Sequence, residues 1–180
     1  MQCKHKTKTK RKSWRKLHLG LEITTGDIVC SDLTKDDVGD PTALPEGLHQ
    51  IDAPVSRFLA DGAYAGDPTS DLLVSRFGEA IEVAIPPPIT AILSLDAARD
   101  PTRRDKHISE VRGKGRLAWQ VSSGNNHRSP GEAQMARWKM VIGPKLKARS
   151  FPNLKTEARI GTNILNKLNG LGRAKYEAVA

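Results

Sequence analysis

An alternating run near the N-terminus constrains the fold more than any other feature of this sequence. A leucine or isoleucine occupies every second position from Leu17 to Ile23, and polar or small residues lie between them. This period of two is typical of a strand with one buried face. Residues 24–26 (Thr-Thr-Gly) then supply a tight turn, and residues 27–31 form a second β-prone run. The pattern predicts an antiparallel hairpin.

A second short apolar run ends in a carboxylate. Residues 57–60 (Arg-Phe-Leu-Ala) predict a buried strand, and Asp61-Gly62 follows directly. Open α/β sheets bind their ligands at the carboxyl ends of strands, so Asp61 is a candidate functional residue. The alternative is an ordinary Asp-Gly turn, which occurs in proteins of every class.

The remaining elements predict an α/β fold around a mixed sheet. In chain order they are a polar, turn-rich stretch over 32–45, a short helix over 43–50, a helix with Asp67 as N-cap and Gly78 at its end, a strand over 83–85, a loop or insertion over 94–116, a helix from Pro130, and a helix from about Asn153 with Leu154, Ala158, Leu165 and Leu168 facing inward. Trp138 is expected in the core. His107 and His127 are expected in loops, because neither has a partner at metal-ligand spacing.

Composition is typical of one globular domain. The chain has 180 residues, 38% of them hydrophobic, and no run approaches the roughly 20 apolar residues that span a bilayer. There is no apolar segment of the kind found in secretory signals. Two cysteines do not make a disulfide framework or a four-ligand zinc site. We therefore expect a cytoplasmic protein without a membrane partner.

The net charge of +9 is unevenly distributed. Residues 1–18 carry eight basic groups and no acid, whereas residues 19–82 carry thirteen acids and three basic groups. Residues 83–180 carry eighteen basic groups and seven acids. Basic flanks around an acidic centre suit a protein that binds nucleic-acid phosphates near a cluster of carboxylates. The alternative is a disordered basic tail and a solvated helix face.

Three charged residues mark the helix that begins at Pro130. Arg128, Glu132 and Lys139 lie four and seven residues apart, so Glu132 and Lys139 project from one face of the helix. In that position Lys139 is suited to contact a phosphate, although a solvated surface lysine is an equal alternative. Glu132 has an alternative role too, because Ser129 and Glu132 have the spacing of a capping box.

Taken together, these segments resemble the catalytic domain of bacterial insertion-sequence DDE transposases. The resemblance rests on residues 14–20 (Trp-Arg-Lys-Leu-His-Leu-Gly), on residues 60–64 (Ala-Asp-Gly-Ala-Tyr), and on Arg128-x3-Glu132-x6-Lys139. In that family a Tyr-x2-Arg-x3-Glu-x6-Lys signature surrounds the third acid. The second acid sits in a similar Asp-Gly-Ala-Tyr turn. The resemblance implies an RNase H-like fold.

The chain departs from the family pattern in three ways. The family's first aspartate lies on an opening central strand, upstream of the Trp-Arg-Lys-Leu-His segment, so the resemblance implies that this chain lacks both. The tyrosine of the signature falls on Asn125, and Pro130-Gly131 occupies positions that usually hold apolar helix residues. We therefore expect a truncated core. Residues 1–13 are predicted to be a basic disordered tail, residues 14–172 the partial catalytic core, and residues 173–180 a C-terminal tail.

The resemblance also implies a function. Asp61 and Glu132 would be catalytic acids and ligands of Mg²⁺ or Mn²⁺, with binding weak or absent in this fragment. Arg128, Lys139, Arg15 and Lys16 would contact DNA, the expected substrate. The chain would act in DNA transposition in the nucleoid, as a homo-oligomer or with an intact transposase subunit. The alternatives are an inactive DNA-binding remnant that competes with the intact enzyme, and an unfolded product without a role.

Overall fold

A computed structural model describes residues 14–172, and the chain forms six helices and four strands there. The elements are β1 (Arg15–Leu21), β2 (Ile28–Lys35), α1 (Asp40–Leu48), β3 (Arg57–Leu59), a 3₁₀ turn (Gly62–Tyr64), α2 (Asp67–Phe77), β4 (Glu82–Ala84), α3 (Arg103–Lys114), α4 (Arg116–Ser122), a second 3₁₀ turn (Asn125–Arg128), α5 (Pro130–Val141) and α6 (Phe151–Gly170). The predicted tails over 1–13 and 173–180 lie outside the described residues. No helix within 14–172 is long and apolar enough to cross a membrane.

The predicted hairpin is present, and its second strand is longer than expected. β1 and β2 pair antiparallel from Arg15 opposite Lys35 to Leu21 opposite Ile28. The prediction of turns from residue 32 onward is therefore wrong for residues 32–35. Within this part of β2 the polar residues Asp32 and Thr34 are buried, because α1 and α6 both pack against the strand. Its buried polar groups are paired: Lys155 Nζ lies 2.8 Å from Asp32 Oδ1.

The second pair of strands is parallel. Residues 57–59 of β3 pair with residues 82–84 of β4, with α2 as the crossover between them. Among the described residues no backbone ladder joins this pair to the hairpin, so the chain has two two-stranded sheets where one mixed sheet was expected. The α/β class is confirmed. The continuous sheet is not present in residues 14–172.

Each sheet has its own hydrophobic core. The hairpin unit, defined here as β1, β2, α5 and α6, buries Ile28, Leu33, Trp138, Ala158 and Leu165. The parallel unit, defined as β3, β4, α1 and α2, buries Leu48, Ala60, Leu73, Ile81, Val83 and Ile85. Trp138 is 5% exposed, so its predicted core position is confirmed.

The predicted loop over 94–116 is present over 94–102 and wrong from residue 103 onward, since α3 and the start of α4 lie there. A capping box begins α3: the Thr102 hydroxyl accepts a hydrogen bond from the Asp105 amide, and the Asp105 carboxylate accepts one from the Thr102 amide. Most of the helix is charged, and the hydropathy pattern gave no signal because Ile108 is its one buried apolar residue. His107 belongs to this helix, so its predicted loop position is also wrong.

Smaller corrections concern three helix positions. Gly66 is the N-cap of α2 and Asp67 is its first residue, so the helix begins one residue earlier than the predicted N-cap at Asp67 implied. Ser129 has helical backbone angles and makes no side-chain cap bond, so the predicted capping box at α5 is absent. Leu168 of α6 is 37% exposed, whereas Ala158 and Leu165 are buried as predicted.

Candidate active site at the junction of the two units

Asp61 lies where β3 gives way to the 3₁₀ turn, at the position the sequence indicated. It is the N-cap of that turn, and its Oδ1 accepts a hydrogen bond of 2.9 Å from the Ala63 amide. One carboxylate oxygen is therefore engaged in local structure, as in the alternative interpretation of an Asp-Gly turn. The side chain is half-buried. Its local role and a ligand-binding role are compatible, since a carboxylate has several lone-pair sites.

Tyr64 lies at the other end of this turn. Its ring packs edge to face with Phe58 at 6.5 Å between centroids. Burial, with the negative charges of Asp40 and Asp61 adding to it, raises the pKa of Tyr64 to about 12. The phenol therefore reports on the charge at Asp61.

Asn125 connects the signature segment to the strand ends, and sequence reasoning missed this role. Its side chain is 4% exposed, and Nδ2 donates to the carbonyls of Ala60 at 3.1 Å and of Ala84 at 2.9 Å. These carbonyls lie at the carboxyl ends of β3 and β4, and the Ala84 carbonyl also accepts an inter-strand bond from the Ala60 amide at 3.4 Å. The amide thus fastens the turn before α5 to the residue preceding Asp61. A signal was present, because Gly124-Asn125 is a turn dipeptide at the position of the family's tyrosine.

Glu132 lies in the first turn of α5 and is 74% exposed at its side chain. Its carboxylate is 3.4 Å from Arg128 Nη2, an (i, i+4) ion pair in place of the predicted capping box. Exposed pairs of this kind contribute about 0–1 kcal/mol. A competing ligand for the carboxylate therefore meets little resistance from Arg128.

The other predicted DNA contacts differ in how they are held. Lys139 is exposed and forms no ion pair with another described residue. Lys16 donates to the Val38 carbonyl at 2.8 Å and lies 3.6 Å from Asp40. The Arg15 guanidinium lies over the Phe151 ring, 5.5 Å from its centroid. Lys139 is thus available for a phosphate, whereas Lys16 and Arg15 already make contacts within the protein.

The acids do not form a complete metal site by themselves. Within residues 14–172 no three His, Cys, Asp or Glu side chains are grouped so that they could hold a metal ion. A hard divalent cation takes several oxygen ligands, so Asp61 and Glu132 alone do not satisfy it. Carboxylate oxygens are suitable ligands for such a cation, but two carboxylates supply too few of them.

Comparison with known proteins supplies the family. A family model described as a transposase DDE domain matches residues 2–159, most of the chain. No solved structure matches the chain. The matched region includes the Asp61 turn, the Asn125 anchor and the first turn of α5. The chain belongs to the DDE transposase domain family.

Proposed function

We propose that this chain is the catalytic-core portion of an insertion-sequence transposase, in which Asp61 and Glu132 are two of three metal-binding acids. DDE transposases generally use divalent metal ions for DNA cleavage and strand transfer. Such ions stabilise both the attacking and the leaving oxygen of a phosphodiester displacement. Within residues 14–172 no three potential metal ligands are grouped together, so a metal ion bound to this chain alone would lack part of its coordination.

The observation that carries the proposal is the Asn125 anchor. Two bonds from one buried amide hold the turn at 125–128 against the ends of β3 and β4. Glu132 lies four residues after that turn, on helix α5, and Trp138 of the same helix is buried in the hairpin core. The anchor therefore fixes α5 relative to the strand that ends at Asp61. This is what a two-element carboxylate site requires.

The third acid would come from a strand outside residues 14–172. β1 pairs with a strand on one edge only, and so does β3, so each leaves an edge without a backbone ladder in the described part of the chain. Unpaired edges are suited to accept an added strand. We propose that a strand with an aspartate lies between β1 and β3 in the active protein, joining both pairs into one mixed sheet.

The proposed DNA contacts follow from charge and exposure. Lys139 projects from the same helix face as Glu132 and is free for a phosphate near the acids. Arg128 would turn from Glu132 to a phosphate when the carboxylate binds a metal, since their exposed ion pair is weak. Arg15 and Lys16, at the start of β1, would extend this contact once they leave Phe151 and Asp40.

Calorimetry with Mn²⁺ tests the role of Glu132. We expect Glu132→Gln to change stability little, since an exposed ion pair is all that is lost, and to reduce Mn²⁺ binding. Glu46→Gln, at an exposed acid of α1, is the matched control and should leave Mn²⁺ binding unchanged. Equal Mn²⁺ affinity in wild type and Glu132→Gln would remove Glu132 from the site.

A nicking assay with duplex DNA tests the third acid. Residues 1–180 alone should not cut DNA, and joining a segment that supplies a strand ending in aspartate should restore cutting. Nicking by the chain alone, abolished by Asp61→Asn, would contradict the missing-acid proposal and direct the search to Asp32 or Asp36. If the restored protein stays inactive but binds DNA, the rival function of a competing, non-catalytic DNA-binding protein is favoured.

A further inference from the structure

The connection between α5 and α6 presents an ordered row of cations. Along Lys145–Arg149 exposure alternates: Lys145, Lys147 and Arg149 are exposed, and Leu146 and Ala148 between them are half-buried. Leu146 packs against the hairpin core. This alternation places the two apolar residues against the protein and the three cations toward solvent.

A carboxylate holds this segment in place. Glu157, on α6, accepts hydrogen bonds from the Lys147 amide at 2.8 and 2.9 Å and from the Ala148 amide at 2.8 Å. The Ala148 amide first, and then the Lys147 amide, lower the pKa of Glu157, so the carboxylate is ionised at neutral pH. The bonds go to the main chain, which leaves the lysine side chains uncommitted.

The three cations form no ion pair within the described structure, although the charge of Lys147 helps to lower the pKa of Glu157. None lies within ion-pair distance of a carboxylate in residues 14–172, whereas other basic residues such as Lys155 and Arg57 are paired. The segment leads into α6, a 20-residue helix with no acid in its first turn, so the positive end of its dipole adds to the same charge. A fixed, unpaired, wholly cationic face is suited to a polyanion.

We propose that the Lys145–Arg149 segment binds the phosphate backbone of duplex DNA, as a surface separate from the residues assigned to the acid site. This inference rests on the proposed function, since DNA is the polyanion a transposase handles. An anionic membrane fits less well, because the outward face of the segment has no apolar side chain to insert. The segment positions DNA without reading sequence, since its contacts are to phosphates.

Two triple variants with equal loss of charge test the proposal. Lys145→Ala/Lys147→Ala/Arg149→Ala removes the segment's cations, and Arg99→Ala/Lys106→Ala/Lys114→Ala removes three exposed cations elsewhere. Fluorescence anisotropy with a labelled duplex over a salt series gives the affinity and the slope of log K against log salt. Circular dichroism confirms that both variants stay folded.

The segment variant should lose roughly tenfold or more in affinity, and its salt slope should fall by about 2–3, as expected for three lost phosphate contacts. The matched variant should change both by much less. Equal changes in the two variants would overturn the proposal, because net charge alone would then explain binding. A greater loss of binding to anionic lipid vesicles than to DNA would overturn it as well. A wild-type chain that binds no DNA would instead contradict the proposed function.

Glu157→Gln tests the positioning role separately. Removal of an acid from a DNA-binding protein normally strengthens binding, and the exposed control Glu46→Gln should bind DNA equally or more tightly. Glu157→Gln should instead weaken binding by roughly threefold or more, because the segment loses its preorganisation. Tighter DNA binding by Glu157→Gln would show that the anchor has no part in recognition.

Discussion

The hairpin unit and the parallel unit are built by different means. In the hairpin unit β1 and β2 pair along seven residues, and local alternation with a Gly turn is enough to specify them. In the parallel unit β3 and β4 pair along three residues, and the crossover α2 separates them in the chain. The first unit depends on local sequence and the second on tertiary contacts. The candidate site lies where the two meet.

Both units use an asparagine side chain to fasten a distant segment to a strand. Asn166 of α6 accepts from the Ile28 amide and donates to the Ile28 carbonyl, both at 2.8 Å, as a neighbouring strand residue would. Asn125 only donates, to the carbonyls of Ala60 and Ala84. In the hairpin unit the amide adds to an existing ladder. In the parallel unit it lies at the end of the ladder, where the Ala84 carbonyl also accepts a bond from the Ala60 amide.

The largest effect should come from the hairpin core. Trp138→Ala removes the largest buried side chain of that core and should cost about 3–5 kcal/mol of unfolding free energy, measured in urea. Leu73→Ala, in the parallel core and 0% exposed, should cost about 2–5 kcal/mol. A single transition in both variants would show that the units unfold together. Two separate transitions would show that the junction is weak.

Gly161 of α6 tests the same core from the other side, because it packs directly against the Trp138 ring of α5. A Cβ at Gly161 would lie 2.3 Å from Cη2 of Trp138, and the buried ring has little room to move. Gly161→Ala should therefore cost about 1–3 kcal/mol by overpacking. In a Trp138→Leu background the same change should cost much less. Additive costs would place the strain elsewhere.

Sequence patterns predicted the elements whose side chains follow one period. The β1–β2 hairpin, the Asp61 strand end, α5 and α6 were all expected, because each has regularly spaced apolar residues. Helix α3 was not, because capping bonds around Asp105 stabilise it more than an apolar face does. The polar end of β2 was missed for a related reason, since its buried polar groups find partners far along the chain.

The candidate site was only partly predictable. The motif spacing identified Asp61 and Glu132, because residue type and separation are properties of the sequence. The Asn125 anchor depends on carbonyls 65 and 41 residues away, which no local pattern reveals. The partner of Glu132 was not predictable either. Ser129 adopts helical angles and makes no capping bond, and the Glu132 carboxylate pairs with Arg128 instead.

Asn125 variants test the junction itself. Asn125→Ala leaves the Ala60 carbonyl buried without this donor and should cost about 1–2 kcal/mol. Asn166→Ala, the counterpart in the hairpin unit, should cost a similar amount in urea unfolding. Only Asn125→Ala should increase hydrogen exchange in the 125–132 segment. Equal hydrogen exchange of residues 125–132 in the two variants would show that Asn125 does not anchor this segment.

The smallest effect concerns the charge at the junction, which Tyr64 reports. Burial and the charges of Asp40 and Asp61 raise its pKa to about 12, above the usual value of about 10. The protonated phenol therefore contributes stability that is fully present below pH 10 and is lost as pH rises through 12.

Tyr176→Phe leaves Tyr64 as the single tyrosine for an absorbance titration. In that background Asp61→Asn should lower the pKa of Tyr64. An Asp61→Asn titration that matches the parent would show that burial and Asp40 set the pKa of Tyr64 without Asp61. The two units would then meet there without electrostatic coupling to the acid.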